Sequence, residues 1–207
     1  MATAKKRSNT DSATKVALAT AAGGLLTVAG WQLVQRTRGR DPNRVRITGR
    51  IGLQTSLDLA NWKLVLHTAR GRLALSLDEI KTLPRFETEG NFDCIEGWKE
   101  TFHYAGVRFS DFVEHYGIES TRYVGLATPD LSYYVSIDFE SMLQPSTFLA
   151  YEMNGEPLSL EHGAPLRLII PGKAANKSLK RVGHLWFSEV RPADYWAERG
   201  RDWFTGK

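Results

Sequence analysis

The 207-residue chain holds one cysteine, Cys94. With no second thiol it cannot close a disulfide on itself, attach a c-type haem through Cys-x-x-Cys-His, or supply the ligands of an iron–sulfur cluster. Its five histidines have no paired-ligand spacing, which argues against a zinc centre. A net positive charge is also missing from most of the chain. The net charge is +4, yet Lys5, Lys6, Arg7, Lys15, Arg36, Arg38, Arg40, Arg44, Arg46 and Arg50 face only Asp11 and Asp41, so everything after residue 50 is net acidic. The basic pI therefore belongs to the first quarter, and nucleic-acid binding by a folded domain loses its main support. Internal repeats and the βαβ alternation of a doubly wound sheet are absent as well.

What is present begins with a polar, basic tail over residues 1–15, read as disordered. Val16 to Val34 follow without a charge, flanked by Lys15 and Arg36. Nineteen such residues can cross a bilayer as a helix. A retained anchor over 16–35 is the expectation; a cleaved export signal and a water-soluble helix compete with it. No small-x-small cleavage site follows Leu33, and Trp31 suits an interfacial anchor. Basic residues on both flanks leave orientation open, and Lys6-Arg7 is a faint echo of a twin-arginine export signal.

Residues 36–61 form a basic, then polar linker, with a turn at Asp41-Pro42-Asn43, and residues 62–207 form the folded domain. Trp62 to His67 and Leu73 to Leu75 are predicted strands around the Ala69-Arg70-Gly71 turn. Ser76 and Glu79 make a capping box for a short helix closed by Pro84. Arg85 to Phe92 is a strand running into Cys94, followed by a loop. Ser110 caps a second helix ended by Gly117. Tyr123 to Ala127, Tyr133 to Ile137, Phe148 to Met153 and Leu166 to Ile170 are further strands, Asn154-Gly155 is a hairpin signal between the last two, and a final strand runs from Leu179 to Val190. Short strands with brief helices at irregular spacing predict an α+β fold.

Taken alone, Cys94 is an inert core residue, an intermolecular bridge, a nucleophile or one soft ligand to a metal. Downstream, His162 and Arg167 flank one turn and Lys177, Ser178 and Lys180 form a donor-rich loop, a set suited to holding an anionic group or to being a solvated basic surface.

The ordered series Cys94-Ile95-Glu96-Gly97-Trp98, Tyr134-Val135-Ser136-Ile137, Leu149-Ala150-Tyr151-Glu152-Met153-Asn154-Gly155, His162-Gly163-Ala164-Pro165-Leu166-Arg167 and Lys177-Ser178-Leu179-Lys180 resembles the molybdopterin-binding domain of the sulfite oxidase superfamily. Eukaryotic sulfite oxidase, plant nitrate reductase and the bacterial periplasmic methionine-sulfoxide reductase catalytic subunit belong to it. The resemblance covers residues 60–200. It implies a mononuclear centre carrying molybdenum-molybdopterin, with Cys94 as the thiolate ligand of the metal. His162 and Arg167 fall on the pterin and phosphate contacts, Lys177, Ser178, Leu179 and Lys180 on the loop closing over the cofactor, and Thr128 near another contact. Tyr133 matches the active-site tyrosine, with Tyr134 one place away.

Two departures weaken sulfite as the substrate. The Arg-Asn-His motif that sulfite oxidases carry upstream of the cysteine, where it helps seat the cofactor, is missing from residues 36–93, and their arginine five residues after the cysteine is here Lys99, which keeps the charge but loses the bidentate fork. The resemblance therefore implies an α+β oxidoreductase of sulfite oxidase or sulfoxide reductase type, bacterial and single-pass in the inner membrane, with its domain in the periplasm. Its partners would be a small-molecule substrate and a membrane haem or quinol electron carrier. A non-catalytic member that keeps the fold as a binding or assembly module is the rival reading, and a metal-free thiol enzyme is the third.

Overall fold

The computed structural model describes residues 56–93 and 99–207, and their side chains except at 90–93 and 99–102. The basic tail, the proposed anchor, the linker up to residue 55 and Cys94 lie outside the described residues. Among those described, no helix is long and apolar enough to cross a membrane.

Among the described residues, ten strands form two sheets accompanied by three short α-helices, as an α+β reading expects. In chain order the elements are β1 (Leu64–Thr68), β2 (Gly71–Leu75), α1 (Leu77–Lys81), β3 (Arg85–Asp93), β4 (Lys99–Arg108), α2 (Phe109–His115), β5 (Tyr123–Ala127) and β6 (Tyr134–Asp138). They continue with α3 (Phe139–Met142), β7 (Phe148–Met153), β8 (Glu156–Pro157), β9 (Arg167–Ile169) and β10 (His184–Ser188). One sheet runs β2-β1-β10-β5-β6; the other runs β3-β4-β7-β8, with β9 also on β7. Only β1 and β10 pair in parallel, Val65 opposite His184, among the strand pairs of the described residues.

The capping box forms as the sequence predicts: Glu79 N–H donates to Ser76 Oγ at 3.2 Å, and Ser76 N–H donates to Glu79 Oε2 at 2.7 Å. The second helix starts differently from expectation. Its N-cap is Arg108, with no side-chain cap, and Ser110 stands inside the first turn. A tertiary bond replaces the cap, because Phe109 N–H donates to Thr147 O at 3.0 Å while Phe109 and Phe112 are fully buried.

Strand β4 is not predicted by the sequence pattern, yet it is central. It pairs with β3 from Asp93–Lys99 to Arg85–Val107 and with β7 along its second half. Its Gly106 breaks the alternation for a packing reason: a Cβ there would lie 2.0 Å from Leu149 O. Gly106→Ala is therefore expected to destabilise the domain by about 3 kcal/mol, the order of severe overpacking; chemical denaturation measures it, and an unchanged midpoint would contradict the close approach.

Both faces of β7 are covered. Leu149 and Tyr151 join the main core with Leu64, Leu66, Phe112, Val124 and Leu185. Phe148 and Ala150 join a smaller cluster with Tyr104, Leu158, Ala164 and Ile169. The Asn154-Gly155 turn has φ of +55° and +81°, the left-handed pair a two-residue hairpin needs. It joins β7 to the two-residue β8 rather than to β9. The predicted last strand also shortens, since Arg181 at φ +55° breaks the run before His184.

Candidate cofactor site

Ser159 opens a single 3₁₀ turn, Leu160–His162, and Gly163 closes it at φ +105°. In a 3₁₀ turn positions i and i+3 eclipse, so His162 folds back over Ser159: Ser159 Oγ lies 2.7 Å from His162 Nδ1 and accepts the His162 backbone N–H at 3.3 Å. Gly163 carries no side chain because Lys180 passes against it, where a Cβ would sit 2.9 Å from Lys180 Cβ. Arg167, on β9 opposite Ala150, donates from Nη1 to His162 O at 3.0 Å and to Tyr104 Oη at 3.3 Å. Lys180 Nζ donates to Glu161 O at 3.0 Å, and Arg181 N–H to Gly163 O at 3.2 Å. The sequence-predicted His162, Arg167 and Lys180 are thus brought together, joined by Ser159, Tyr104 and Arg181.

Two buried atoms in this cluster, His162 Nε2 and Arg167 Nε, have no hydrogen-bond partner. Arg167 is 7% exposed, and no carboxylate among the described residues pairs with it. A buried guanidinium without a counter-charge is costly. Burial, with Lys180 and Arg167 nearby, pushes the His162 pKa down to about 4, so the ring is neutral at pH 7. Burial, reinforced by Arg167, lowers Lys180 to about 8. Both shifts are those of a cationic pocket that an anion would relieve. The residues present fit a phosphate-bearing group.

Because the folded-state value of His162 lies below the unfolded 6.5, the unfolded chain takes up that proton first. The residue's contribution to stability is complete above pH 6.5 and is lost as pH falls through about 4, about 3 kcal/mol in all. Denaturation midpoints across that window should fall less steeply in His162→Gln than in the parent; equal slopes would contradict a buried neutral ring.

The polar atoms of the remaining predicted residues are engaged with other partners. Thr128 Oγ1 donates to Asp130 Oδ1 at 2.7 Å and accepts Tyr133 N–H at 3.2 Å, holding the β5–β6 turn. Tyr133 Oη donates to Asn176 O at 2.6 Å, and burial raises its pKa. Ser178 Oγ accepts Ile170 N–H at 3.3 Å, Leu179 is fully buried, and Lys177 Nζ donates to Asp194 Oδ2 at 2.5 Å. Lys99 contributes its backbone to the last pair of the β3–β4 ladder; its side chain and Cys94 lie outside the described residues. No group of three or more His, Cys, Asp or Glu suited to a metal occurs among the described residues.

Sequence reasoning missed Tyr104, Arg181 and Ser159. Tyr104 was lost with β4; Arg181 stood next to Lys180, and the Ser-x-x-His spacing of a cap was there to be read.

Comparison with known proteins agrees with this geometry. Residues 51–196 match the oxidoreductase molybdopterin binding domain. A relative in Azospira oryzae that carries the name of a protein-methionine-sulfoxide reductase subunit is 32% identical over 152 residues, covering 72% of this chain and 58% of its own length. Human mitochondrial sulfite oxidase is 27% identical over 181 residues, covering 72% of this chain and 33% of its own. The sulfane dehydrogenase SoxCD from Paracoccus pantotrophus superposes with a TM-score of 0.60 at 22% identity, over 66% of this chain and 40% of that one, and so shares the fold. The chain thus spans little more than half the length of the first of these relatives and a third of the second. With the family match covering well over half its residues, the chain belongs to the oxidoreductase molybdopterin-binding domain family.

Proposed function

We propose that this protein is a molybdenum-cofactor-dependent oxidoreductase that transfers an oxygen atom or two electrons to or from a small-molecule substrate. The observation that carries the reading is Arg167, a buried guanidinium with an orphaned Nε beside the orphaned Nε2 of His162 and no carboxylate partner among the described residues. Arg167, Lys180 and Arg181 would hold the anionic end of the cofactor, with Ser159 fixing the His162 ring against it. Cys94 would supply the protein thiolate to the metal, a soft ligand suited to a redox centre. When bound, the cofactor supplies the redox chemistry, and the protein supplies ligand, anion clamp and pocket.

Lys99 presents a point charge rather than a fork at the place where the sulfite oxidases have arginine, which favours a neutral oxo-donor such as a sulfoxide over a pyramidal oxyanion. Tyr133, whose pKa burial raises, would donate a hydrogen bond near the reacting oxygen on exchanging its present acceptor, Asn176 O. Residues 16–35 would anchor the domain to the inner membrane, facing the periplasm, with electrons exchanged with a membrane haem or quinol partner; the chain's one cysteine is too few for an iron–sulfur cluster of its own.

Metal analysis of the full chain purified from a cofactor-competent host tests the reading. One molybdenum per chain, lost on Cys94→Ala, supports it. Folded protein free of molybdenum would favour the non-catalytic module that the missing Arg-Asn-His motif suggests.

A further inference from the structure

The loop between β9 and β10 is tied down by a segment that family resemblance does not single out. Lys173 Nζ donates to Asp138 Oδ1 at 2.8 Å and Phe204 O at 2.9 Å, and stands 3.5 Å from the centre of the Phe204 ring. Ala174 N–H donates to Thr205 O at 2.8 Å, and Asn176 Nδ2 to Gly206 O at 2.9 Å. At the centre is Lys177, 1% exposed. Its Nζ donates to Asp194 Oδ2 at 2.5 Å and to Ser136 O at 3.2 Å, with the Trp203 ring 5.7 Å away.

Asp194 is itself 3% exposed. Its Oδ2 also accepts Ser136 N–H at 3.0 Å and its Oδ1 accepts Ala197 N–H at 3.0 Å. One carboxylate therefore joins the edge of β6, the 3₁₀ turn Ala175–Lys177 and the turn Ala197–Arg199. From Lys177 the chain passes directly into Ser178, Leu179, Lys180 and Arg181, held along β9 by Leu168 N–H to Leu179 O at 2.8 Å and Val182 N–H to Leu166 O at 2.9 Å.

We propose that Lys177 is the anchor of the cofactor loop rather than a ligand of the cofactor, and that Asp194 is a positioning residue which, through Lys177, sets where Lys180 and Arg181 stand. The assignment rests on the reading that this loop and the His162–Arg167 turn receive the cofactor's anionic end. It departs from the role that resemblance gives Lys177. A lysine whose ammonium is shut away with a carboxylate, a carbonyl and an aromatic ring presents no charge to a phosphate, whereas Lys180 approaches the turn itself.

The test is a cycle of Lys177→Met, Asp194→Asn and the double variant, each in the full chain from a cofactor-competent host. Lys177→Met alone leaves a buried carboxylate uncompensated and should lower the melting midpoint by roughly 10 °C. Adding Asp194→Asn removes that charge and keeps one of the two acceptors, leaving either the Ser136 or the Ala197 N–H unmatched, and should restore about half of the loss. Pterin per chain should fall in Lys177→Met, where the uncompensated carboxylate loosens the loop that carries Lys180 and Arg181, and return to within about twofold of the parent in the double variant, where the loop is reseated. A direct ligand would instead give a roughly tenfold loss in the folded double variant, the worth of one charge-assisted bond to phosphate, and that result would overturn the assignment.

Amine-reactive labelling of the parent decides the matter whether or not a variant folds. An anchor predicts that Lys177 reacts at least roughly tenfold more slowly than the exposed Lys63 both with and without cofactor, as burial protects it; reaction at the Lys63 rate in the cofactor-free chain would sink it. A parent chain without any pterin would overturn the functional reading, while the thermal cycle and the labelling would still judge the anchor.

Discussion

Replacing Cys94 by serine is expected to cut turnover by roughly three orders of magnitude, the scale seen when an essential reacting group is removed, while the melting midpoint moves little. A hydroxyl occupies nearly the space of a thiol, but it is a hard donor that stays protonated where a thiol near a metal ionises. The substitution therefore acts on chemistry rather than packing. Turnover with a sulfoxide substrate, molybdenum content and thermal stability, measured together, separate the two: serine protein with parental turnover would remove Cys94 from the mechanism, and a collapse in stability would return it to the core.

Arg167→Met should produce two effects of opposite sign. In the cofactor-free chain the guanidinium is buried against His162 O and Tyr104 with no counter-charge among the described residues. An apolar side chain of similar length removes that cost, so stability should rise by about 1 kcal/mol. Pterin retention should fall roughly a hundredfold, because the charge-assisted bonds that the site was built around are gone. Stability bought at the expense of binding is the signature of a functional site. A variant that is less stable and still fully loaded would show that Arg167 is a structural residue.

Local signals were legible where a single short pattern decides the geometry. Ser76 and Glu79 announce a capping box and make one, and Asn154-Gly155 announces a left-handed pair of dihedrals and adopts it. Legibility ended where the deciding partner is distant in sequence. Strand β4, whose Gly106 is crossed by Leu149, was not read from the sequence, and with it went Tyr104, the residue that steadies Arg167. The helix at Phe109 is started by Thr147 rather than by its own Ser110. At the site, His162, Arg167 and Lys180 were readable as an ordered set of motifs, and the structure unites them. Lys177 was readable only as a basic residue in a basic loop, because Asp194, which encloses it, lies seventeen positions further on.

The place of β10 in its sheet has a consequence for how the molecule is made. Two hairpins, β1–β2 and β5–β6, are complete early in the chain, yet neither pairs with the other; β10 joins them, hydrogen-bonded to β1 on one side and β5 on the other. Until Ser188 has been synthesised, both hairpins hold an open edge, a state that is slow to resolve and prone to mispairing. The residues from Pro171 to Gly183 lead directly into that last strand, so Lys180 and Arg181 are followed at once by the strand that closes the first sheet. A chain stalled before β10 would carry every strand of the second sheet while the two hairpins of the first stayed unjoined.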